Sequence, residues 1–526
     1  MPHRPHPGAA MNELLRFRRC SDLHGNPINI NSGRRNGKAA VFFPPHMDGS
    51  IAAPGSWELS PDHHLTRNPM FDKFFASVWN GFVAPRNSTQ ETGPRLDLGF
   101  QVVDEQVQQS RAYLPDSKRC EHMAILGKTG QGKSFFLRHL ATQDVRNRRG
   151  FVFFDLHGDT MPFLLRLIAA EERRTRQDLS DRLIVIEPGD PEFSIGLNVI
   201  EAQAGQQGYV QLAEFAQILK ARWHLDSFGA RTEELLRNGM HVLADNNLTL
   251  LELAPLLSSA AFRTACLDRV ENTEVASYFR TRFDTRSEAL QGVYRDAILN
   301  KVSGFTTDPR FRHILGQQRS TFSLLDAMDR GRWVILNLDK GRLGEQASTL
   351  GSLLLTKVKN ALFSRRGRQI FTLYCDEIQN LVAYDAGLDT LLSEARKFGI
   401  SVVSANQFLD QYPAQMRAAI MAVGTHVFFQ LSSTDADKIA SALDGGKRLA
   451  EVLKNLPKRH MVVKSGSRRT QEVLVPNVAE SEADYTDLYN RCRARWARRR
   501  ANVEAEIRAR HRNANRLSEE VLNEWE

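Results

Sequence analysis

His122-Met-Ala-Ile-Leu-Gly-Lys-Thr-Gly-Gln-Gly-Lys-Ser-Phe-Phe136 holds Gly127-x-x-x-x-Gly132-Lys133-Ser134 between two segments of different periodicity. Met123 to Leu126 is a short apolar run suited to a buried strand, and Phe135 to Asp144 has helical spacing without a breaker. A strand, a glycine-rich loop and a helix in that order are what a phosphate-binding loop requires. Gly127, Gly130 and Gly132 let successive backbone N–H groups turn inward around an anion, and the start of the helix adds its positive dipole end. Lys133 can reach β and γ phosphates, and the Ser134 hydroxyl can bind Mg²⁺. Gly127, Lys128, Thr129, Gly130, Gln131, Gly132, Lys133 and Ser134 are thus the expected binding residues for the phosphates of a nucleotide, with Mg²⁺ beside them.

Working outward, Ile370-Phe-Thr-Leu-Tyr-Cys-Asp376-Glu377 is a run of strand residues ending in two carboxylates. Asp376 is placed to hold the Mg²⁺ shell, and Glu377 to polarise a water for in-line attack on a γ phosphate. Ser401-Val-Val-Ser-Ala-Asn-Gln407 is a further strand, ending in an amide that can sense the γ phosphate or position the water. Just before it stand Arg396 and Lys397. An arginine there either stabilises the transition state from an adjacent subunit or makes a surface salt bridge. Gly150 to Asp159 is an apolar strand turning abruptly polar, as at the carboxyl edge of a parallel sheet. Asp155 and His157 fall at that edge, near a nucleotide or a neighbouring subunit; Asp155 would equally serve to cap the next turn of the chain.

With 526 residues and 42% hydrophobic content, the chain can build two or three domains, or one nucleotide-binding core with a large insertion. A net charge of +9 favours a polyanionic partner. Cys20, Cys120, Cys266, Cys375 and Cys492 are scattered without metal spacing and are expected as free thiols in a reducing cytoplasm. No run approaches 18 uninterrupted apolar residues, so the expectation is a soluble chain with no transmembrane segment of its own.

Residues 1–95 are rich in Pro, His, Asn, Gly and Arg and are expected to be poorly structured, apart from a short amphipathic helix carrying Phe71, Phe74, Phe75, Val78, Trp79 and Phe82 on one stripe. The first part of an α/β core spans 96–198, opening with a strand-like lead-in from Leu96 to Leu114. Amphipathic helical spacing over 199–330 reads as an inserted all-α domain. The core resumes over 331–478, with Thr425 to Leu431 as its last strand and Val473 to Val475 as an added edge. From 479 to 526 a helical tail carries ten arginines between Arg491 and Arg516, with Trp496 among them. Such a run is either a solvated helical face or a surface for nucleic acid.

The loop Gly-Lys-Thr-Gly-Gln-Gly-Lys-Ser, Phe154 to Asp159, Phe228 to Arg231, Asn337 to Gly344, Asp376-Glu377, Arg396 to Gly399 and Gln407 together resemble the FtsK/HerA superfamily of hexameric DNA-pumping ATPases, and within it the conjugative coupling ATPases of type IV secretion. The resemblance covers roughly residues 95–480. It implies a RecA-like P-loop core with a mostly parallel sheet and an inserted all-α domain. It further implies Lys133 and Ser134 on ATP and Mg²⁺, Asp376 and Glu377 as the Walker B pair, Gln407 as sensor and Arg396 as arginine finger. The implied activity is ATP-driven DNA transfer by a hexameric ring, gripping DNA through phosphates, with a membrane secretion channel or a relaxase as partner. Two alternatives stand beside it: a HerA-like translocase working with a nuclease, and a type IV secretion ATPase that energises protein export. Coupling proteins usually begin with transmembrane helices; none stands here, so any placement at the inner membrane is expected through a partner.

Overall fold

The computed structural model describes residues 93–201, 212–217, 219, 230–381, 388–412 and 414–523. The aromatic stripe of Phe71 to Phe82 and Cys20 lie outside the described residues. The chain opens with a hairpin, β1 (Arg95–Val103) and β2 (Gln106–Pro115), ahead of β3 (Met123–Leu126), β4 (Gly150–Asp155) and β5 (Leu183–Ile186). A two-residue strand β6 (Phe193–Ser194) precedes a helical stretch, after which come β7 (Trp333–Asn337), β8 (Phe371–Asp376), β9 (Ile400–Asn406) and β10 (Thr425–Phe428). β11 (His460–Ser465), β12 (Gln471–Leu474) and a short β13 (Arg498–Arg499) complete the set.

Eleven of these strands form one sheet in the order β2-β1-β12-β11-β10-β3-β9-β8-β4-β7-β5. Every pairing from β10 to β5 is parallel, and every pairing from β10 through β11, β12 and β1 to β2 is antiparallel. The parallel strands are buried on both faces, which their near-continuous apolar runs require. Phe151, Phe153, Ile125 and Ile335 point to one face, under the helices Lys133–Arg146 and Thr160–Thr175. Val152, Phe154, Leu336 and Leu373 point to the other, under the helix Glu345–Phe363 and the helical insertion. Register aligns Leu126 with Asn406, Asp376 with Ala405, and Asp155 with Asn337, so the polar ends of the strands emerge together at one edge.

Between β6 and β7 the described chain is helical, from Ala230–Asp245 through Glu288–Thr306 to Leu324–Asp329. Several starts are fixed by local caps: Ser259, Asn272, Asp308 and Ser323 each accept a bond from a backbone N–H of the first turn, and Pro309 follows Asp308. The core is therefore RecA-like with an all-α insertion. Among the described residues no single helix is long and apolar enough to cross a membrane, and Cys120, Cys266, Cys375 and Cys492 are free.

One expectation gains detail and two need correction. The lead-in from Leu96 to Leu114 is a hairpin, whose turn takes positive φ at Asp104 and Glu105 in place of the usual Asn or Gly. The strand at Val473 to Val475 is not an edge: β12 lies between β11 and β1, and β2 is the outer strand. The tail is not helical from 479; helices begin at Thr486 and Arg500, separated by β13, which pairs with β6.

Beneath the sheet lies a buried charge cluster. Arg119 makes a bidentate pair with Asp144 at 2.8 and 2.7 Å, while Thr372 Oγ1 and Tyr374 Oη also donate to Asp144. Removing one partner leaves an uncompensated buried charge, a loss of about 3–5 kcal/mol. Asp144→Ala is expected to lower unfolding stability by that amount in a denaturant titration; a midpoint unchanged from the parent would show the pair to be energetically neutral.

Candidate active site

The phosphate loop leaves β3 and is moored from three sides. Gly127 N donates to Asn406 O at 3.2 Å, Lys128 N to Gln430 O at 2.8 Å, and Arg459 N to Gln131 O at 2.9 Å. At Gly127 a Cβ would stand 2.5 Å from Cβ of Phe429, so only glycine lets the loop lie this close to its neighbour. Gly132 opens the helix Lys133–Arg146 with φ +114, a conformation side chains rarely adopt. The helix thus begins at Lys133, and its free N–H groups face the loop.

Lys133 curls back, its Nζ donating to Gly127 O at 2.6 Å and Lys128 O at 3.1 Å. Burial draws this ammonium below the usual lysine range, while the charges of Glu377 and Asp376 oppose the shift. Ser134 Oγ donates to Asp376 Oδ2 at 2.8 Å. Burial pushes the Asp376 carboxyl up from the ordinary range, the Ser134 bond works against that, and the like charge of Glu377 adds to it. Asp376 Oδ1 is buried and has no hydrogen-bond partner among the described residues. A hydroxyl and a half-satisfied carboxylate at the end of a phosphate loop are the donor set on which Mg²⁺ sits when substrate phosphates supply further ligands. The residues present fit Mg²⁺ with a nucleoside triphosphate.

Glu377 follows Asp376 with φ +53, a left-handed backbone that costs a non-glycine residue energy and aims its side chain into the edge. Gln407 Nε2 donates to Glu377 Oε1 at 3.0 Å, and Gln379 Nε2 donates to Glu377 Oε2. The expected residues Lys133, Ser134, Asp376, Glu377 and Gln407 therefore converge. Gln379 was not singled out in the sequence; its signal was an amide two residues after the second carboxylate.

Other expected residues separate from this group. Arg396 lies before the amino end of β9, whereas Gln407 follows its carboxyl end; seven residues of strand put the two about 20 Å apart. Arg396 is exposed and pairs with Glu121 at 3.2 Å. Asp155 acts as a cap: its two oxygens accept from backbone N–H groups of His157, Gly158, Thr160 and Met161 at 2.8–3.3 Å. His157 is exposed beside it.

Residues 108–358 match the family model described as the central domain of helicase HerA. Over those residues the chain is similar to the central domain of helicase HerA. No curated protein matches the chain. Among solved structures, the chain is similar in fold to the plasmid coupling protein TrwB in complex with ADP and Mg²⁺, at 18% identity over 74% of this chain and 97% of that one, TM-score 0.52. TrwB in complex with a non-hydrolysable ATP analogue matches at 18% identity over 75% and 97%, TM-score 0.51. VirB4 of Thermoanaerobacter pseudethanolicus matches at 13% identity over 73% and 97%, TM-score 0.50.

The arginines of the tail are mostly engaged within the chain. Arg491 pairs with Glu172 and Asp487, Arg493 with Asp190, Arg495 with Asp181, Arg498 with Glu506, Arg508 with Glu504, and Arg510 with buried Glu252. Trp496 donates to Ser180 O and lies under the Arg332 guanidinium.

In Gly132→Ala the new Cβ would lie 3.2 Å from Arg459 Cγ on a backbone alanine resists. Strain of about 1–3 kcal/mol at the loop corresponds to nucleotide binding weakened roughly 5- to 150-fold. Fluorescent-nucleotide titration with circular dichroism as a fold control tests this; parental affinity would show that the loop tolerates a side chain there.

Proposed function

We propose that this ATPase is a motor that hydrolyses ATP with Mg²⁺ to move DNA through a homo-oligomeric ring, of the kind used in conjugative transfer. The observation that carries the reading is the convergence of Lys133, the Ser134–Asp376 pair and the Glu377–Gln407 pair at one sheet edge, in a core that shares its fold with TrwB.

The loop N–H groups and the helix start bind the triphosphate, and Lys133 exchanges its two carbonyl partners for phosphate oxygens. Ser134 and Asp376 would hold Mg²⁺, which would supply charge neutralisation at the phosphates. Glu377 accepts a proton from the water as its oxygen bonds to the γ phosphorus, and the bond from that phosphorus to the bridging oxygen breaks to give ADP and phosphate. Gln407, bonded to Glu377, orients the carboxylate and reports the state of the γ position. Arg396 serves the site of the next subunit, since its place at the amino edge keeps it from its own. The grip on DNA is through phosphates, by basic surfaces other than the paired tail. Association with a membrane secretion channel or a relaxase belongs to this reading.

A second reading, an ATPase that energises protein export, is favoured by two observations: the fold is equally shared with VirB4, and most tail arginines are bound to acids of the same chain.

Steady-state ATP hydrolysis with single- and double-stranded DNA, at low and moderate salt, separates the two. The motor reading expects salt-sensitive stimulation by DNA, and Lys133→Ala without turnover; rates indifferent to DNA would favour the export reading. Glu377→Gln is expected to bind ATP without hydrolysing it. If Arg396 acts across an interface, mixing Arg396→Ala with Glu377→Gln restores part of the turnover; mixtures as inactive as their components would contradict that role.

A further inference from the structure

Asn406, the last residue of β9, is fully buried and joins two parts of the site. Its carbonyl accepts the first N–H of the phosphate loop, from Gly127 at 3.2 Å. Its side chain faces the opposite way: Nδ2 donates to Gln379 Oε1, and Oδ1 accepts from the hydroxyl of buried Tyr412. Gln379 in turn donates to Glu377 Oε2. The donors run in one direction, from Tyr412 O–H through the amides of Asn406 and Gln379 to the carboxylate, so each bond polarises the next.

We infer that Gln379, Asn406 and Tyr412 form a positioning relay that couples the orientation of the Glu377 carboxylate to the phosphate loop. The inference rests on the reading of Glu377 as the base that takes the proton of the attacking water. Three features favour a relay over a merely buried polar cluster. The chain of bonds ends on the carboxylate in question, whose other oxygen is held by Gln407. Glu377 sits on a left-handed backbone, a strained conformation that persists only where surrounding contacts such as those from Gln379 and Gln407 hold it. Asn406 contacts the loop through its main chain, so a shift of the loop on filling moves Asn406 and, through Gln379, the carboxylate. The turn after the strand is fixed as well, because Gln411 Oε1 accepts from the backbone N–H groups of Gln407 and Phe408 at 3.0 and 3.1 Å. Tyr412 thus has a rigid base from which to donate.

The test is steady-state ATP hydrolysis by the full chain carrying Gln379→Met, which keeps the length of the side chain and deletes both amide functions. Misplacing a base by a fraction of its bond length costs on the order of 10- to 100-fold in kcat. KM for ATP and the affinity for a fluorescent ATP analogue are expected to stay within about twofold, since substrate binding is left to the loop. Because the relay acts only through Glu377, the double variant Glu377→Gln/Gln379→Met is expected to be no slower than Glu377→Gln alone. Tyr412→Phe, which keeps the buried ring, is a second and milder variant, expected to lower kcat about 3- to 10-fold at unchanged KM. Gln379→Met with parental kcat while Glu377→Gln is inactive would overturn the relay and leave Glu377 as base. A raised KM at parental kcat would overturn it too, by making Gln379 a substrate contact. Full activity of Glu377→Gln would remove the base itself, and the relay with it.

Discussion

The hydrogen bond from Ser134 to Asp376 is the joint on which the carboxyl edge of this sheet depends. It ties the first turn of the loop helix to the end of β8, although β9 runs between β3 and β8. Asp376 is buried and only one of its oxygens is satisfied, a cost that a protein carries where a cation is to be held. Around that joint each strand end adds one function: β3 the loop, β8 the two carboxylates, and β9 the amides of Asn406 and Gln407. Parallel register makes this possible, since it delivers the ends of strands far apart in sequence to one line.

The strands that build this edge were legible in the sequence because burial on both faces demands continuous apolar runs, and the polar residues after each run marked where they stop. Asp376, Glu377 and Gln407 were read from those stops, and Lys133 and Ser134 from the glycine spacing of the loop; the structure brings the five together. The features that escaped did so for physical reasons. β11 opens on His460 and closes on Lys464 and Ser465, so only its middle three residues make the apolar run that marks a central strand. The β1–β2 turn uses Asp104 and Glu105, residues that carry no turn signature when read alone. The bonds among Gln379, Asn406 and Tyr412 span residues up to 27 apart, and no local pattern announces which amide will face which.

Charge was the least informative feature. The arginine-rich tail read as either a solvated face or a polyanion surface, yet its guanidinium groups are mostly used to fasten the chain to itself. Arg493 and Arg500 hold the turn after β5, through Asp190 and the carbonyls of Pro188 and Phe193, while Arg510 compensates buried Glu252 in the helical insertion. Val503 and Ile507 add apolar contact with Leu251. The tail therefore joins the core to the insertion, a role that depends on acids scattered through the sequence and hidden from a one-dimensional reading. Net positive charge of the whole chain bears on partners only after such internal pairs are discounted.

Movement along DNA is the central claim, and it is tested most directly by displacement of streptavidin from the ends of biotinylated single- and double-stranded DNA. The account predicts displacement that requires hydrolysable ATP, favours one strand form or one end, and stops when Lys133 is replaced by alanine. Vigorous ATP hydrolysis with no displacement from either form would contradict it.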